Sequence, residues 1–222
     1  MPKSVINIYK VYFARIMIWL KTAFKYSRTA CGNDLVAFLY LTPFTKSLPR
    51  TNAEPIGQLH ANTAFTYTCT DTVAEIVVFR REEWFKVFVH ETFHLLALDF
   101  SGMGAGTLAV CATKMKTIFP IDSKFALYES YTEVWATIIN ACFCSYFCKQ
   151  GHTGLGNFKK QFKLLMRYET MFKVFQMHKI LRFIGLEYVD LYSTTKDSEM
   201  LRNELYRENT NVFSYSIAGT LL

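Results

Sequence analysis

An apolar stretch from Val87 to Leu98 is the clearest element of the chain, although four of its side chains are polar. Its apolar residues recur at helical spacing, and the acidic pair at positions 82 and 83 favours a helix N-terminus. The pattern predicts a helix over residues 82–98. Because most of its side chains are apolar, we expect this helix to be buried.

A second helix is predicted over residues 126–148. Its last fifteen positions contain no charged residue, which indicates a buried body. Glu129 and Glu133 are four residues apart and share one helix face, and Thr137 and Asn140 continue the line. The resulting polar stripe faces either the first helix, where buried carboxylates find partners, or the solvent, as on an ordinary amphipathic helix.

Two short runs before the first helix have the residue types of β-strands. Residues 64–69 alternate apolar and polar side chains, as a half-buried strand does. Residues 75–79 are rich in β-branched side chains, and Asp71 and Thr72 suit a turn between the two runs. We therefore predict an α+β fold in which a small antiparallel sheet packs beside a mainly helical body.

The first sixty residues predict a helix and a loop. Residues 5–26 place apolar side chains at helical spacing, with Lys10, Arg15 and other basic residues between them. This helix packs on the core or lies on an anionic membrane surface. The charges leave no uncharged run of about 20 residues for a membrane span, and Arg15 breaks the apolar core that a signal peptide needs. Residues 42–55 contain three prolines and read as a loop.

The remaining segments are less regular. Residues 107–122 are predicted to be irregular, and residues 217–222 show no evident final element. Residues 155–205 are rich in Phe, Lys and Arg with helical periodicity, which predicts packed helices. The side chains expected on their inner face are Phe158, Phe162, Leu165, Met166 and Phe172.

The composition bounds the class of protein. With 222 residues and 51% apolar content, the chain can bury a core of its own. The net charge of +7 is a mild excess without a nucleic-acid motif, so no nucleic-acid partner is expected. The six cysteines impose no disulfide framework, which favours a reducing compartment.

Residues 90–94 read His-Glu-Thr-Phe-His, a His-Glu-x-x-His motif. On a helix, His90 and His94 lie on one face, about 5–6 Å apart at Cβ, and can bind one metal ion together. Glu91 can reach a metal-bound water without being a ligand itself. The alternative is a buried helix whose histidines are satisfied by hydrogen bonds.

A catalytic zinc site usually takes a third protein ligand. The metzincin pattern is disfavoured, because Phe100 stands where its third histidine should be, Ala97 replaces the required glycine, and Asp99 is one residue out of register. The carboxylates of Glu129 and Glu133 are the better candidates.

The His-Glu-x-x-His helix, followed by a helix with two acidic residues four apart, resembles the gluzincin branch of the zincin metallopeptidases. The resemblance covers about residues 64–148 and implies a zincin-like fold, a peptide or protein substrate and one Zn²⁺ held by His90, His94 and Glu129. It also implies that Glu133 orients His90 or His94 by a hydrogen bond. Tyr128 and Glu133 replace the family's usual Asn and Asp, so the order of the two glutamates stays open.

The family also implies an edge strand that pairs with the substrate backbone. It further implies a C-terminal Tyr or His that stabilises the oxyanion, for which His152, Tyr168 and His178 are candidates, although a structural role is the more ordinary one for each. The same stretch of sequence resembles uncharacterised open reading frames of large DNA viruses.

We thus expect one zincin-like domain over residues 1–222, with an N-terminal helix and loop (1–60), a metal-site core (61–150) and a C-terminal helical lobe (151–222). The expected function is zinc-dependent peptide-bond hydrolysis with Glu91 as general base, in the cytoplasm or associated with a virion. The alternative is an inactive zinc-binding protein for structure or interaction, which the basic N-terminal helix would bring to a membrane surface.

Overall fold

The structure is a computed structural model that describes residues 3–27, 31, 34–68, 73–147 and 154–222. Cys69, the predicted turn at residues 71–72 and His152 lie outside the described residues. The α-helices are α1 (Lys3–Ala23), α2 (Gln58–Ala61), α3 (Trp84–Leu95), α4 (Ala105–Ile118), α5 (Leu127–Phe147), α6 (Leu155–Ile184), α7 (Lys196–Leu205) and α8 (Gly219–Leu221). The strands are β1 (Leu35–Thr42), β2 (Ala64–Thr66) and β3 (Ala74–Arg80). A 3-10 helix (Tyr188–Leu191) precedes α7, and a π-helix (Phe213–Ala218) precedes α8.

The fold is α+β, and its described strands form one mixed sheet in the order β1–β3–β2. The expectation of an antiparallel sheet is correct only for β2 and β3, because β1 runs parallel to β3. The segment after β1 turns back through α2 and β2 before β3 begins, and such a crossover lets two strands of one sheet run in the same direction. The sheet therefore has β1 at one edge and β2 at the other.

The core around the sheet holds α3 in place. β3 alternates, so that Ala74, Ile76 and Val78 are buried on one side, and α3 packs there through residues such as Phe88. α1 also packs on α3, where the indole Nε1 of Trp19 donates a 2.6 Å hydrogen bond to the hydroxyl of Thr92. Most of α3 is thus buried, as the sequence predicts.

Two predictions for the later segments are wrong, and both segments contribute to a second apolar cluster. Residues 107–122 are not irregular: most of them belong to α4, a helix without a fully buried residue and thus with a weak amphipathic pattern. Residues 217–222 do not lack an element, since the π-helix leads directly into α8. That region is held by tertiary packing, because Phe213 and Ile217 are completely buried against α6 and the 3-10 helix.

Cys31 is buried and disulfide-bonded, a bond that the cysteine spacing did not predict. Within the described ranges, no helix combines the length and the apolar content that a membrane crossing would require.

Candidate metal centre

The candidate metal centre lies between α3 and α5, which pack against each other. The Nε2 atoms of His90 and His94 are 3.1 Å apart. Glu129 Oε2 lies 3.2 Å from His90 Nε2 and 3.1 Å from His94 Nε2. The two helices therefore bring three predicted ligands together in one group that could hold a metal ion.

The spacing of the three donor atoms fits a small divalent cation. Ligand atoms placed at about 2.0–2.1 Å around a tetrahedral metal lie roughly 3.3–3.4 Å from one another. The observed separations of 3.1 and 3.2 Å are within a few tenths of an ångström of that geometry. Two imidazoles and one carboxylate suit zinc and the neighbouring transition metals, whose protein ligands include these groups.

Asp99 orients His94 from the side away from the other donors. Its Oδ2 atom lies 2.5 Å from His94 Nδ1, and its side chain is completely buried. Ser101 holds the carboxylate by donating from its backbone N–H and its hydroxyl to Oδ1, at 3.1 and 2.6 Å. A carboxylate behind a ligand histidine fixes the ring and raises its basicity. The sequence suggests Asp99 only as a ligand out of register, and its contact with His94 was not predicted.

Glu133 stands behind His90. Its Oε2 atom is 3.5 Å from His90 Nδ1, while Oε1 accepts a 3.0 Å hydrogen bond from Lys86 Nζ. Lys86 also donates to Glu83 at 2.9 Å, and Glu83 in turn pairs with Lys46 at 2.9 Å. Glu129 is the carboxylate close to both Nε2 atoms, so the geometry favours it over Glu133 as the third ligand.

The charges of this network balance around one buried ammonium, that of Lys86, while its other members are partly exposed. Burial alone would lower the pKa of Lys86, but Glu133 and Glu83 raise it above its ordinary value. Burial would likewise raise the pKa of Glu133, and Lys86 and His90 hold it below its usual range instead. Glu83 adopts φ 55°, a left-handed conformation that costs a non-glycine residue on the order of 1–3 kcal/mol, and its two lysine partners favour it.

The two imidazoles are strong bases in the absence of metal. Burial lowers the pKa of His90, but hydrogen bonds with Glu129 and Glu133 outweigh it and raise the pKa to about 9. His94 is mostly shielded from solvent, which also lowers its pKa, but its bonds with Asp99 and Glu129 raise the pKa to about 10. Burial opposes ionisation of Glu129, yet the same imidazoles lower its pKa to about 2. A cation must therefore displace protons from the histidines as it binds.

Glu91 borders a cleft of about 320 Å³ that reaches the metal centre at His90. Its carboxyl is buried and makes no hydrogen bond or ion pair to any residue in the described ranges. Burial raises its pKa, against the opposing effect of His90 and His94. Glu91 thus places a carboxyl group beside the candidate metal centre. Because no described residue binds this group, it can accept a proton from a molecule in the cleft.

The C-terminal segment supplies two further residues that the sequence analysis missed. Asn211 Nδ2 donates a 3.2 Å hydrogen bond to Glu129 Oε1, the oxygen turned away from the histidines. The ring of Tyr215 lies 6.0 Å from that of His90 and borders the same cleft as Glu91. Of the residues considered earlier for this place, Tyr168 and His178 are exposed on α6 and do not line the cleft.

Comparisons with known proteins found no match for this chain. No protein-family model, no curated protein and no solved structure matches it.

Proposed function

We propose that the protein is a zinc-dependent hydrolase of peptide bonds, in which His90, His94 and Glu129 bind one Zn²⁺. The observation that carries the proposal is the group of three donor atoms at mutual distances of 3.1 and 3.2 Å. Two histidines and one glutamate form a known ligand set of hydrolytic zinc sites, which keep a position open for water.

Glu91 acts as the general base in this proposal. Bound zinc would lower the pKa of a coordinated water and polarise a carbonyl oxygen. Glu91 accepts the proton of the attacking water and then gives it to the leaving amine. Its raised pKa and its lack of partners among the described residues support this role, because a carboxylate already engaged in strong hydrogen bonds would be a weaker base.

Tyr215 serves as the donor to the developing oxyanion. Burial and the nearby Glu129 raise the pKa of its phenol well above the ordinary value, so that the hydroxyl keeps its proton. A neutral hydroxyl at the wall of the cleft can donate a hydrogen bond where negative charge develops. Replacing Tyr215 with Phe is therefore expected to lower kcat while KM changes little.

A peptide is the favoured substrate because of the strand beside the cleft. β2 is an edge strand of the sheet, and Ala64 at its start lines the cleft together with His90 and Glu91. The edge of a strand offers unpaired backbone groups to an extended peptide, which can add to the sheet as a further strand. A peptide bound in this way would pass the carboxyl of Glu91.

The test compares metal content and peptidase activity in matched variants. Wild type should contain one zinc per chain by elemental mass spectrometry and cleave members of a mixed peptide library. Glu91→Gln should keep the zinc and lose activity by at least about 100-fold, because it removes only the general base. Glu75→Gln is the control, since that side chain is exposed on β3 and makes no contact with the site.

His94→Ala completes the comparison, since it should lose both zinc and activity. Zinc in wild type without turnover that depends on Glu91 would reject the hydrolase and leave a zinc-binding protein of structural or interaction function. The absence of zinc after refolding with the metal would reject the metal centre itself.

A further inference from the structure

The outward face of α6 exposes large apolar side chains in a regular line. Leu164, Tyr168, Met171 and Phe175 are spaced at i, i+4, i+7 and i+11, which places them on one helix face. Their side chains are 41, 58, 67 and 60% exposed. We refer to these four residues as the outer stripe. No described residue covers the outer stripe. Packing of α6 against the rest of the protein therefore does not explain why these four positions are apolar.

The exposed charges of α6 are all basic, because the helix has no exposed acidic residue. The helix has a single acidic residue, Glu169, which is half-buried and borders the cleft. Its exposed basic residues are Lys159, Lys160, Lys163, Arg167, Lys179 and Arg182. Lys160, Lys163 and Arg167 lie along one side of the outer stripe, whereas Lys179 on its other side borders the cleft. An apolar line beside a basic margin is an arrangement by which a helix lies flat on an anionic lipid surface.

The charges distinguish this partner from others. A second copy of α6 would bring basic margins of the same sign together, and like charges in contact are unfavourable. A nucleic acid would pair with the basic residues but would leave the four large apolar side chains without partners. A membrane that contains anionic lipids satisfies both features, because its headgroups attract the lysines and arginines while its acyl boundary takes up the apolar side chains.

We propose that the outer stripe and its basic margin, Lys160, Lys163 and Arg167, bind α6 to an anionic membrane surface. The stripe extends over about 16 Å of helix, at 1.5 Å per residue, which is enough for one flat contact. The opposite side of α6 contributes Lys173, Gln176 and Ile180 to the cleft. Since a helix is about 10–12 Å across, the membrane would lie roughly one helix diameter from the cleft.

Vesicle flotation tests the proposal on the full chain. The probe is phosphatidylcholine vesicles with about 30% phosphatidylserine, beside vesicles of phosphatidylcholine alone. We expect the protein to float with the anionic vesicles at low salt, and to remain at the bottom with neutral vesicles or in high salt, because salt screens the headgroup charge.

Two pairs of substitutions locate the contact. Lys163→Gln with Arg167→Gln should weaken partitioning about 25-fold, since each basic residue near the surface contributes about fivefold. Leu164→Ser with Phe175→Ser should weaken it roughly tenfold or more. The matched control is Lys114→Gln with Lys116→Gln, which removes the same charge from exposed positions on α4. Circular dichroism verifies that each variant is folded.

Three outcomes would overturn the proposal. Wild type fails to float with anionic vesicles, or the α4 control loses as much binding as the α6 variants. In the third, binding survives both α6 variants but is lost when Phe13 and Met17 on the exposed side of α1 are changed to Ser, which assigns the contact to α1. The assay needs neither zinc nor turnover, so its result is independent of the proposed hydrolase.

Discussion

Replacing Asp99 with Asn tests whether this carboxylate controls metal binding through His94. The substitution keeps the shape of the side chain and removes its charge, at a position where Asp99 Oδ2 and His94 Nδ1 are 2.5 Å apart and the side chain is fully buried. Loss of such a partner typically weakens metal affinity 10- to 100-fold, or about 1.4–2.7 kcal/mol.

The expected loss of zinc affinity depends on the hydrogen bonds that the Asn side chain can still make. Its amide oxygen still accepts one hydrogen bond, and a neutral bond has about half the strength of a charge-assisted one. We therefore expect about a tenfold loss of zinc affinity for Asp99→Asn and a loss near 100-fold for Asp99→Ala. Glu133→Gln should have a smaller effect than either, because Glu133 is 3.5 Å from its imidazole and is also bound to Lys86.

The loss should also grow with pH. Asp99 helps to raise the pKa of His94 to about 10, so protons compete with zinc in wild type at neutral pH. Without the carboxylate the pKa of His94 falls. Competition from protons therefore weakens zinc binding less in the variant than in wild type. The ratio of the two dissociation constants should therefore be larger at about pH 9 than at about pH 7.

The assay is a competition titration of zinc against a chromophoric chelator. Asp122→Asn is the matched control, because Asp122 is exposed and lies outside the metal centre. The reasoning fails if Asp99→Asn binds zinc as tightly as the control does, or if Glu133→Gln proves the more damaging substitution.

Three further predictions concern stability. Lys86→Met removes a buried ammonium from two partly buried carboxylates and should cost about 2–3 kcal/mol in urea unfolding, between the ranges for exposed and fully buried pairs, against about 1 kcal/mol or less for the more exposed Lys46→Met; equal costs would contradict the buried position of Lys86. Trp19→Phe removes the donor to Thr92 and should cost about 1–3 kcal/mol in the same assay, so an unchanged midpoint would count against that anchor. In chelator, the melting temperature should fall as the pH rises from 6.5 to about 9, because an imidazole with a raised folded pKa, such as His90, contributes stability that is complete below 6.5 and is lost through about 9. Zinc in excess should raise the melting temperature and weaken this trend, and a melting temperature that zinc leaves unchanged would argue against the site.

The elements that carry the metal centre were predictable because their signals are local. A helix over residues 82–98 and another over 126–148 follow from apolar periodicity, and the structure places α3 and α5 within those bounds. β1 was missed, since its run of eight mostly apolar residues shows no alternation. Phe172 was expected on the inner face of α6, and it borders the cleft there while remaining 49% exposed, because periodicity does not show that this face lines a cleft.

The difference between local and distant signals also explains which residues of the candidate site could be predicted. His90, His94 and Glu129 could be selected from spacing, because two lie on one helix face and the third follows from the ligand requirement of zinc. Asn211 and Tyr215 could not, since their contacts with the site depend on how the C-terminal segment folds back onto α5. Only Asp99 offered a nearby signal, an acidic residue five positions after His94.

Because Asn211 follows Glu129 in the chain, the ribosome makes the ligand before the residue that donates a hydrogen bond to it. The two residues are 82 positions apart in the chain. At about 5–20 residues per second, a ribosome needs roughly 4–16 s to add that stretch. During this interval a nascent chain contains both histidines and Glu129 but not the segment that forms part of the cleft wall. The metal ligands thus exist, and can meet a cation, before the residue that fixes the outer oxygen of Glu129 has been made.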